Sequence, residues 1–452
     1  MKMKKESILD KLKGSYVRLI AIGFALLILT GTVLLSLPIA TKSGQGMGVV
    51  DALFTATSAT CVTGLVVADT YTNWTLFGQL VIIALIQIGG LGFLTIGVYI
   101  AVLLKKKIGL WEREAIHESV STMQSAGSVK MTKKIIQGTL FLEGVAAILL
   151  SFRFVPILGW AEGIYYGIFH AISGFCNAGF DLMGRWEAYS SLCLFQGDVL
   201  VNLVLMALIT IAGLGFIVWD DLLRNKWHWK KYMLHTKMVL TISGVLVFGS
   251  AFLFFLFERE NVFAGMSVKD TVLCSLFAAV TPRTAGFNTV DLAAMTDGSK
   301  LLTTILMFIG GSPGSTAGGA KTTTVAVMLL SAIAMIRSSH GVNVFGRRLE
   351  PETVHKASTV FCINLTMALA AILVILAIQP LEFMDVCMEV FSAIGTVGMS
   401  TGVTRQLNDI SKLIIILLMY CGRLGSLSFV LVFAQKKKVP PITNPQEKML
   451  VG

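Results

Sequence analysis

Asp51–Gly64 (DALFTATSATCVTG), Glu162–Gly179 (EGIYYGIFHAISGFCNAG), Asp270–Gly286 (DTVLCSLFAAVTPRTAG) and Asp385–Gly398 (DVCMEVFSAIGTVG) are four short apolar stretches that decide the fold. Each begins at an acidic residue and ends in glycine. Each is too short to cross a bilayer, which takes about 20 apolar residues. Bare backbone is not stable in lipid, but it can line a water-filled cavity enclosed by protein. A half-helix that dips in from one side and returns as an extended segment meets that condition. The acidic residue suits its positive end. Its negative end then points inward, where it favours a cation.

Each short stretch lies between two long apolar runs. The outward runs fall near 17–39, 135–156, 236–257 and 357–380, and the returning runs near 74–104, 199–223, 299–336 and 410–435. The reading is an all-α membrane protein. It has eight transmembrane helices and four re-entrant pore loops, in four helix–pore loop–helix repeats around a pseudo-four-fold pore. Repeat 1 covers 17–104, repeat 2 covers 135–223, repeat 3 covers 236–336 and repeat 4 covers 357–435. Residues 1–16 and 436–452 are expected as tails.

Composition agrees: 55% of the 452 residues are hydrophobic and only 14% charged, which excludes a soluble domain of this size. The first apolar run follows a basic tail and lacks a small-residue cleavage site, so it reads as a span and not a signal peptide. The formal charge of +11 is not a nucleic-acid footprint, because Lys and Arg gather in segments at the ends of the spans. Those segments are Lys2–Arg18, Lys105–Lys134, Arg224–Lys237, Arg337–Lys356 and Lys436–Lys448. The positive-inside rule puts all five, and both termini, in the cytoplasm of a plasma-membrane protein. The seven cysteines are scattered through apolar segments with no metal-ligand spacing and read as free thiols.

The four closing glycines, Gly64, Gly179, Gly286 and Gly398, fall 115, 107 and 112 residues apart. The tripeptides Val62-Thr63-Gly64, Asn177-Ala178-Gly179, Thr284-Ala285-Gly286 and Thr396-Val397-Gly398 are the candidate selectivity filter. Glycine reaches left-handed angles cheaply, and four such turns give rings of carbonyls that can replace the hydration shell of K+. Taken alone, any one of these glycines is an ordinary turn. Their common place in a four-fold repeat argues for more.

The returning runs repeat a second pattern: Gly89-Gly90-Leu91-Gly92, Ala212-Gly213-Leu214-Gly215, Gly310-Gly311-Ser312-Pro313 and Gly422-Arg423-Leu424-Gly425. Glycine inside a helix costs about 1 kcal/mol against alanine, so close packing or a narrow wall is expected here. In this register Arg423 replaces Gly90, Gly213 and Gly311. Three glycines leave room for one long side chain, which places Arg423 in the pore below the filter; the other reading is a buried pair with Glu143 or a neighbouring acid. The third returning run holds Gly310, Gly311, Ser312, Pro313, Gly314, Ser315, Thr316, Ala317, Gly318 and Gly319. Proline and the glycines weaken a helix there, so a loop beneath the filter, with Lys321 at its far end, is the expected gate. A small-residue packing face is the alternative.

The segments CNAGF (Cys176–Phe180), TPRTAGFN (Thr281–Asn288) and GSPGSTAGGAKT (Gly311–Thr322) resemble the Trk/Ktr/HKT superfamily of potassium transporters, most of all its bacterial KtrB type of membrane subunit. The resemblance spans nearly the whole chain. It implies potassium uptake, a homodimer, a cytosolic ring of RCK-type regulatory subunits binding ATP or ADP, uptake favoured by Na+, and an intramembrane loop where the gate is expected. In that family a serine at the first filter position goes with sodium permeation, so Gly64 favours potassium. The fourth loop departs from the pattern with TVGMS, and the first with VTGL, so the filter should be less symmetric than one of identical chains. Lys105–Lys107, Lys133, Lys134, Arg347 and Arg348 are the expected contacts to the regulatory ring, with anionic membrane lipids as the simpler partner.

Rival classes are weaker. Gly314–Thr322 misses the phosphate-binding pattern because Ala320 separates Gly319 from Lys321, and no strand precedes it. The histidines have no metal spacing, and His170 reads as a packing or hydrogen-bonding residue. No catalytic constellation or organic cofactor motif is evident, so an enzyme is not expected. An alternating-access cation symporter also uses broken helices, but it usually shows inverted repeats and acidic residues within the spans. Here Glu143 is the clearest such acid.

Overall fold

The structure, a computed structural model, describes residues 16–103, 128–339 and 341–425, with positions 429, 445, 447 and 449. The two expected tails lie almost wholly outside the described residues, as do Lys105–Lys107 and most of the fourth returning run beyond Gly425. The described part is built mostly of helices. Its only sheet there is a two-stranded hairpin, β1 (Asn343–Val344) on β2 (Arg347–Arg348).

The same order of elements recurs four times. First come α1 (Tyr16–Ser36), the short α2 (Val49–Cys61), and α3 (Leu76–Leu91) followed by α4 (Phe93–Leu103). Next come α5 (Ser128–Leu158), the short α6 (Trp160–Cys176), α7 (Val199–Leu214) and α8 (Phe216–Asn225). Third are α9 (Leu234–Glu258), the short α10 (Val268–Val280), α11 (Asp297–Ile309) and α12 (Thr322–Ile336). Last are α13 (Pro351–Ile378), the short α14 (Phe383–Gly395) and α15 (Asp409–Leu424).

Within α1, α5, α9 and α13, the spans Arg18–Ser36, Val129–Leu158, Leu234–Glu258 and Pro351–Ile378 are long and apolar enough to cross a membrane. At most a third of each apolar window is buried, so lipid is the solvent that suits their outer faces. The short helices carry Asp51, Glu162, Asp270 and Asp385 in their first turns, where a carboxylate meets the positive end of the helix. Each returning helix begins with a side-chain cap at the same place. Thr75, Asp198, Thr296 and Asn408 accept from the backbone N–H three residues on, in Gly78, Val201, Ser299 and Ser411.

The sequence reading broke only the third returning run. The structure breaks the second and first as well, and ends the fourth helix in the same way. Gly92, Gly215 and Gly425 all take φ of 81–98° and ψ of 126–145°, a backbone state outside the helix that a Cβ disfavours. Across Gly215 the direction changes by 95°. In the third run the break widens to the whole of Gly310–Lys321.

The repeats close on one another. One buried cluster joins repeats 1, 2 and 3, through residues such as Trp74, Phe175 and Phe287. A second joins repeats 3 and 4 through Met307, Met388 and Val397. A third joins repeat 4 back to repeat 1 through Phe54, Leu65, Ile394 and Met419. The short helices therefore sit at the centre, with the long helices outside.

Candidate functional site

Each short helix ends in the same backbone signature. Val62, Asn177, Thr284 and Thr396 are left-handed, with φ of 58°, 59°, 75° and 49°, and two residues later Gly64, Gly179, Gly286 and Gly398 have φ of 94°, 68°, 81° and 94°. Left-handed valine and threonine are rare, because their branched Cβ crowds the backbone. The surroundings hold them there. Thr63, Ala178 and Val397 donate their N–H to the carbonyls of Ser58, Ser173 and Ser392 at 2.8 Å, and Ala285 donates to Thr281 at 2.9 Å. The same four hydroxyl residues also tie down the far side of the turn. Ser58 and Ser392 Oγ accept from Gly64 and Gly398 N–H at 3.1 and 3.0 Å, while Ser173 and Thr281 donate to the carbonyls of Phe180 and Phe287 at 2.6 and 2.5 Å. The sequence reading missed this hydroxyl set. Its signal was available: a Ser six residues before three of the glycines, and a Thr five before the fourth.

The four glycines meet in a closed ring. A Cβ on Gly64 would lie 2.5 Å from the carbonyl of Ala178, one on Gly179 2.7 Å from that of Ala285, and one on Gly286 2.6 Å from that of Val397. A Cβ on Gly398 would strike the carbonyl of Thr63, which completes the circuit. No side chain fits at any of the four positions without moving a neighbour's carbonyl. Buried side-chain oxygens of Thr63, Asn177, Thr284 and Thr396 have no hydrogen-bond partner among the described residues.

On one side the ring is the floor of an open mouth. Asp69, Asp181, Asp291 and Arg405 stand on its walls. Burial, and to a lesser degree the nearby Asp69 carboxylate, pushes the Asp181 carboxyl up to about 7. Behind the mouth, His170 is buried. Its Nε2 accepts from Leu182 N–H at 3.3 Å and its Nδ1 lies 2.8 Å from the Tyr166 carbonyl, so it braces the segment that follows Gly179.

On the other side Gly310–Lys321 lies against the ends of the short helices. Gly310 (φ 69°), Gly314 (65°), Gly319 (80°) and Lys321 (80°) turn the chain back on itself. Gly311 N–H donates to Gly318 O at 3.3 Å and closes its base. The loop then reaches two other repeats, the second and the fourth. Ser312 N–H donates to Gly213 O at 3.0 Å, and Phe216 N–H to Gly314 O at 2.8 Å, so the break at Gly215 is where the loop docks. Thr316 Oγ1 donates to Phe175 O at 3.4 Å. A Cβ on Gly318 would meet Thr396 Oγ1 and lie 2.8 Å from Gly395 O. Ser315 Oγ donates to Ser312 O at 2.6 Å and accepts from Ala317 N–H, and Lys321 Nζ donates to Ala317 O at 2.5 Å.

Arg423 locks this arrangement. Its Nη1 donates to Thr316 O, and its Nη2 to Gly89 O and, at 2.8 Å, to Gly90 O. It thus joins the loop to repeat 1 beneath the ring. Glu143 is not its partner: that carboxylate accepts from Gln87 Nε2 at 3.2 Å. Glycines of the returning helices admit the ends of the short helices. Cβ atoms on Gly89 and Gly422 would collide with the carbonyls of Thr60 and Ile394.

The chain matches the TrkH family of cation transport proteins over residues 4–440. It is 40% identical to the potassium/sodium uptake protein NtpJ of Enterococcus hirae over 445 residues, 97% of each chain. It is 40% identical to the Ktr system potassium uptake protein B of Bacillus subtilis over 454 residues, covering both chains fully. The crystal structure of the potassium transporter TrkH from Vibrio parahaemolyticus superposes with a TM-score of 0.70 at 21% identity, over 92% of this chain and 85% of that one, a likeness of fold. This chain therefore belongs to the TrkH family of cation transport proteins.

Proposed function

We propose that the chain takes up potassium ions across the plasma membrane through a channel-like pore, with the carbonyls at Gly64, Gly179, Gly286 and Gly398 as its filter. The closed glycine ring with its repeated left-handed turns carries this reading. The names of the two relatives at 40% identity support it. On this reading each broken or truncated returning run is one span, giving eight spans with both termini cytoplasmic. Carbonyls from four chain segments then face one axis, and the unpartnered hydroxyl and amide oxygens beside them can meet an ion or its water. Na+ acts as activator, and the chain works as a homodimer with a cytosolic nucleotide-binding regulatory ring. Potassium uptake by cells lacking their own potassium systems, measured with and without Na+ and a regulatory subunit, tests it. No uptake above vector control in any combination overturns it.

The loop Gly310–Gly319 with Arg423 is the gate. Arg423 is a positive charge under a cation path that also holds the loop shut. A charge-assisted hydrogen bond contributes about 1.5–3 kcal/mol, so loss of one such contact can shift a closed–open equilibrium about tenfold. Arg423→Gln is expected to raise potassium flux several-fold and keep selectivity. Lower flux from a folded R423Q protein would make Arg423 a support for the open form instead.

The regulatory ring docks on the face that carries the basic segments. There the hairpin presents Arg347 and Arg348, both exposed, and Phe345 at its turn packs edge-on against Trp229 with ring centroids 6.2 Å apart. Lys134 is already paired with Asp220 at 2.6 Å, which leaves the hairpin the better contact. Reversing both charges, Arg347→Glu with Arg348→Glu, is expected to cut co-purification with the regulatory subunit by more than half. Unchanged recovery leaves anionic lipid as the partner of that pair.

A further inference from the structure

The mouth above the glycine ring holds a positive charge that the uptake reading does not use. Arg405 stands on its wall, and its guanidinium carbon lies 4.2 Å from the ring centroid of Tyr189. Arg405 belongs to repeat 4 and Tyr189 to repeat 2, so the contact straps opposite sides of the mouth. Both ends are fixed. Tyr189 is left-handed at φ 65°, and its N–H donates to Asp69 Oδ2 of repeat 1 at 3.1 Å. The turn that carries Arg405 is anchored by the buried carboxylate of Glu389 on α14. Glu389 accepts from Ser400 Oγ at 2.7 Å and Thr404 Oγ1 at 2.6 Å, and Ser400 Oγ in turn accepts from Gly402 N–H at 3.0 Å. Among the described residues no carboxylate forms an ion pair with Arg405.

The other ionisable groups that face the mouth are the carboxyls of Asp69, Asp181 and Asp291. Each already serves a backbone amide: Thr72 N–H at 2.7 Å, Met183 N–H at 2.8 Å and Ala293 N–H at 3.0 Å. They favour any cation that enters. Arg405 is a cation that never leaves.

We propose that Arg405 is a tethered cation at the entrance, held over the glycine ring by Tyr189 and by the turn that Glu389 anchors, and that it competes with arriving potassium and sets the apparent affinity. A guanidinium bound to the face of an aromatic ring keeps its charge while its position is restricted. It therefore raises the concentration of potassium needed to fill the mouth, and leaves passage through the ring unchanged. Arg405 is a specificity-setting residue for entry, and Glu389 and Tyr189 are positioning residues. The proposal rests on the reading of the glycine ring as the potassium path.

The test is initial-rate potassium uptake against external potassium, in the cells described above, at equal membrane levels of protein. Arg405→Gln is expected to lower KM about three- to tenfold, the scale of one unit charge acting across a water-lined mouth, with the maximal rate unchanged. Arg405→Lys keeps the charge and is expected near wild type. Tyr189→Phe keeps the ring face and should not change KM, whereas Tyr189→Leu releases the guanidinium and should lower KM in part. A KM that is unchanged or raised in Arg405→Gln overturns the proposal, because a merely structural arginine would weaken affinity or rate when removed. The two readings fail separately. If glycine-ring substitutions alter ion selectivity while Arg405→Gln leaves KM alone, only the entrance proposal falls.

Discussion

Cells that express the chain without Gly314–Gly318 are expected to take up potassium about tenfold faster at rest than cells with the full chain, and to lose most of their dependence on the regulatory subunit. The deletion removes the hydrogen-bond partners that hold the loop under the ring: the Gly314 carbonyl that accepts from Phe216 N–H, the Thr316 hydroxyl on Phe175 O, and the Thr316 carbonyl held by Arg423. Each such contact is worth about 1 kcal/mol, more for the guanidinium, and about 1.4 kcal/mol is tenfold in a closed–open ratio. The helices on either side should survive. Gly310 and Gly319 already touch, since a Cβ on Gly310 would lie 2.9 Å from Gly319 Cα, so the segment between them is an excursion that the remaining Gly311, Ser312 and Pro313 can close as a shorter turn. Phe216 N–H loses its acceptor, which costs about 1–3 kcal/mol unless water reaches it. Thermal melting of the purified protein reads that cost, and uptake with and without the partner reads the gate. A folded deletion protein at the membrane that still needs its partner for full flux would show that this segment does not gate.

The same loop shows what the sequence made legible and what it did not. Its glycines and proline announced a break, because no arrangement of Gly310–Gly319 gives a stable helix. The short helices were equally plain from length, from the acidic first turn and from the glycine at the end. The breaks at Gly92 and Gly215 were hidden. Leu91-Gly92 and Leu214-Gly215 read as packing glycines within uniformly apolar runs, and a single glycine in a helix is common. What fixes the second break lies about a hundred residues away: Pro313 O would be 2.6 Å from a Cβ at Gly215, and Gly314 O takes the next amide. Local propensity also pointed the wrong way at Val62 and Thr396. Branched residues avoid φ near +50°, and the Ser58 and Ser392 carbonyls and hydroxyls behind them help to hold that state. Arg423 is an intermediate case. Its register against three glycines placed it near the axis, but its contacts with Thr316, Gly89 and Gly90 carbonyls depend on a loop conformation that spacing alone does not give.

Replacing a ring glycine with serine is expected to abolish most of the preference for potassium over sodium. Two costs act together at each position. With φ between 68° and 94°, a side chain is strained by roughly 1–2 kcal/mol. The new Cβ also meets a neighbour's carbonyl oxygen at 2.5–2.7 Å for Gly64, Gly179 and Gly286, and closer still for Gly398. The backbone must give way, and what moves is a carbonyl of the adjacent repeat: Ala178 for Gly64, Val397 for Gly286, Thr63 for Gly398. A ring of carbonyls discriminates between ions by its number and spacing, so displacing one changes selectivity before it stops flux. The serine hydroxyl adds an oxygen beside the path that binds the smaller ion no worse. Gly64→Ser and Gly286→Ser should lower the potassium-to-sodium uptake ratio about tenfold, equivalent to about 1.4 kcal/mol of discrimination. Gly398→Ser, with the tightest approach, should have the largest effect and the poorest folding yield. Competitive uptake of the two ions at equal external concentration measures the ratio. If it stays at the wild-type value for serine at all four positions, taken one at a time, the glycine ring is not the filter and the ions pass elsewhere.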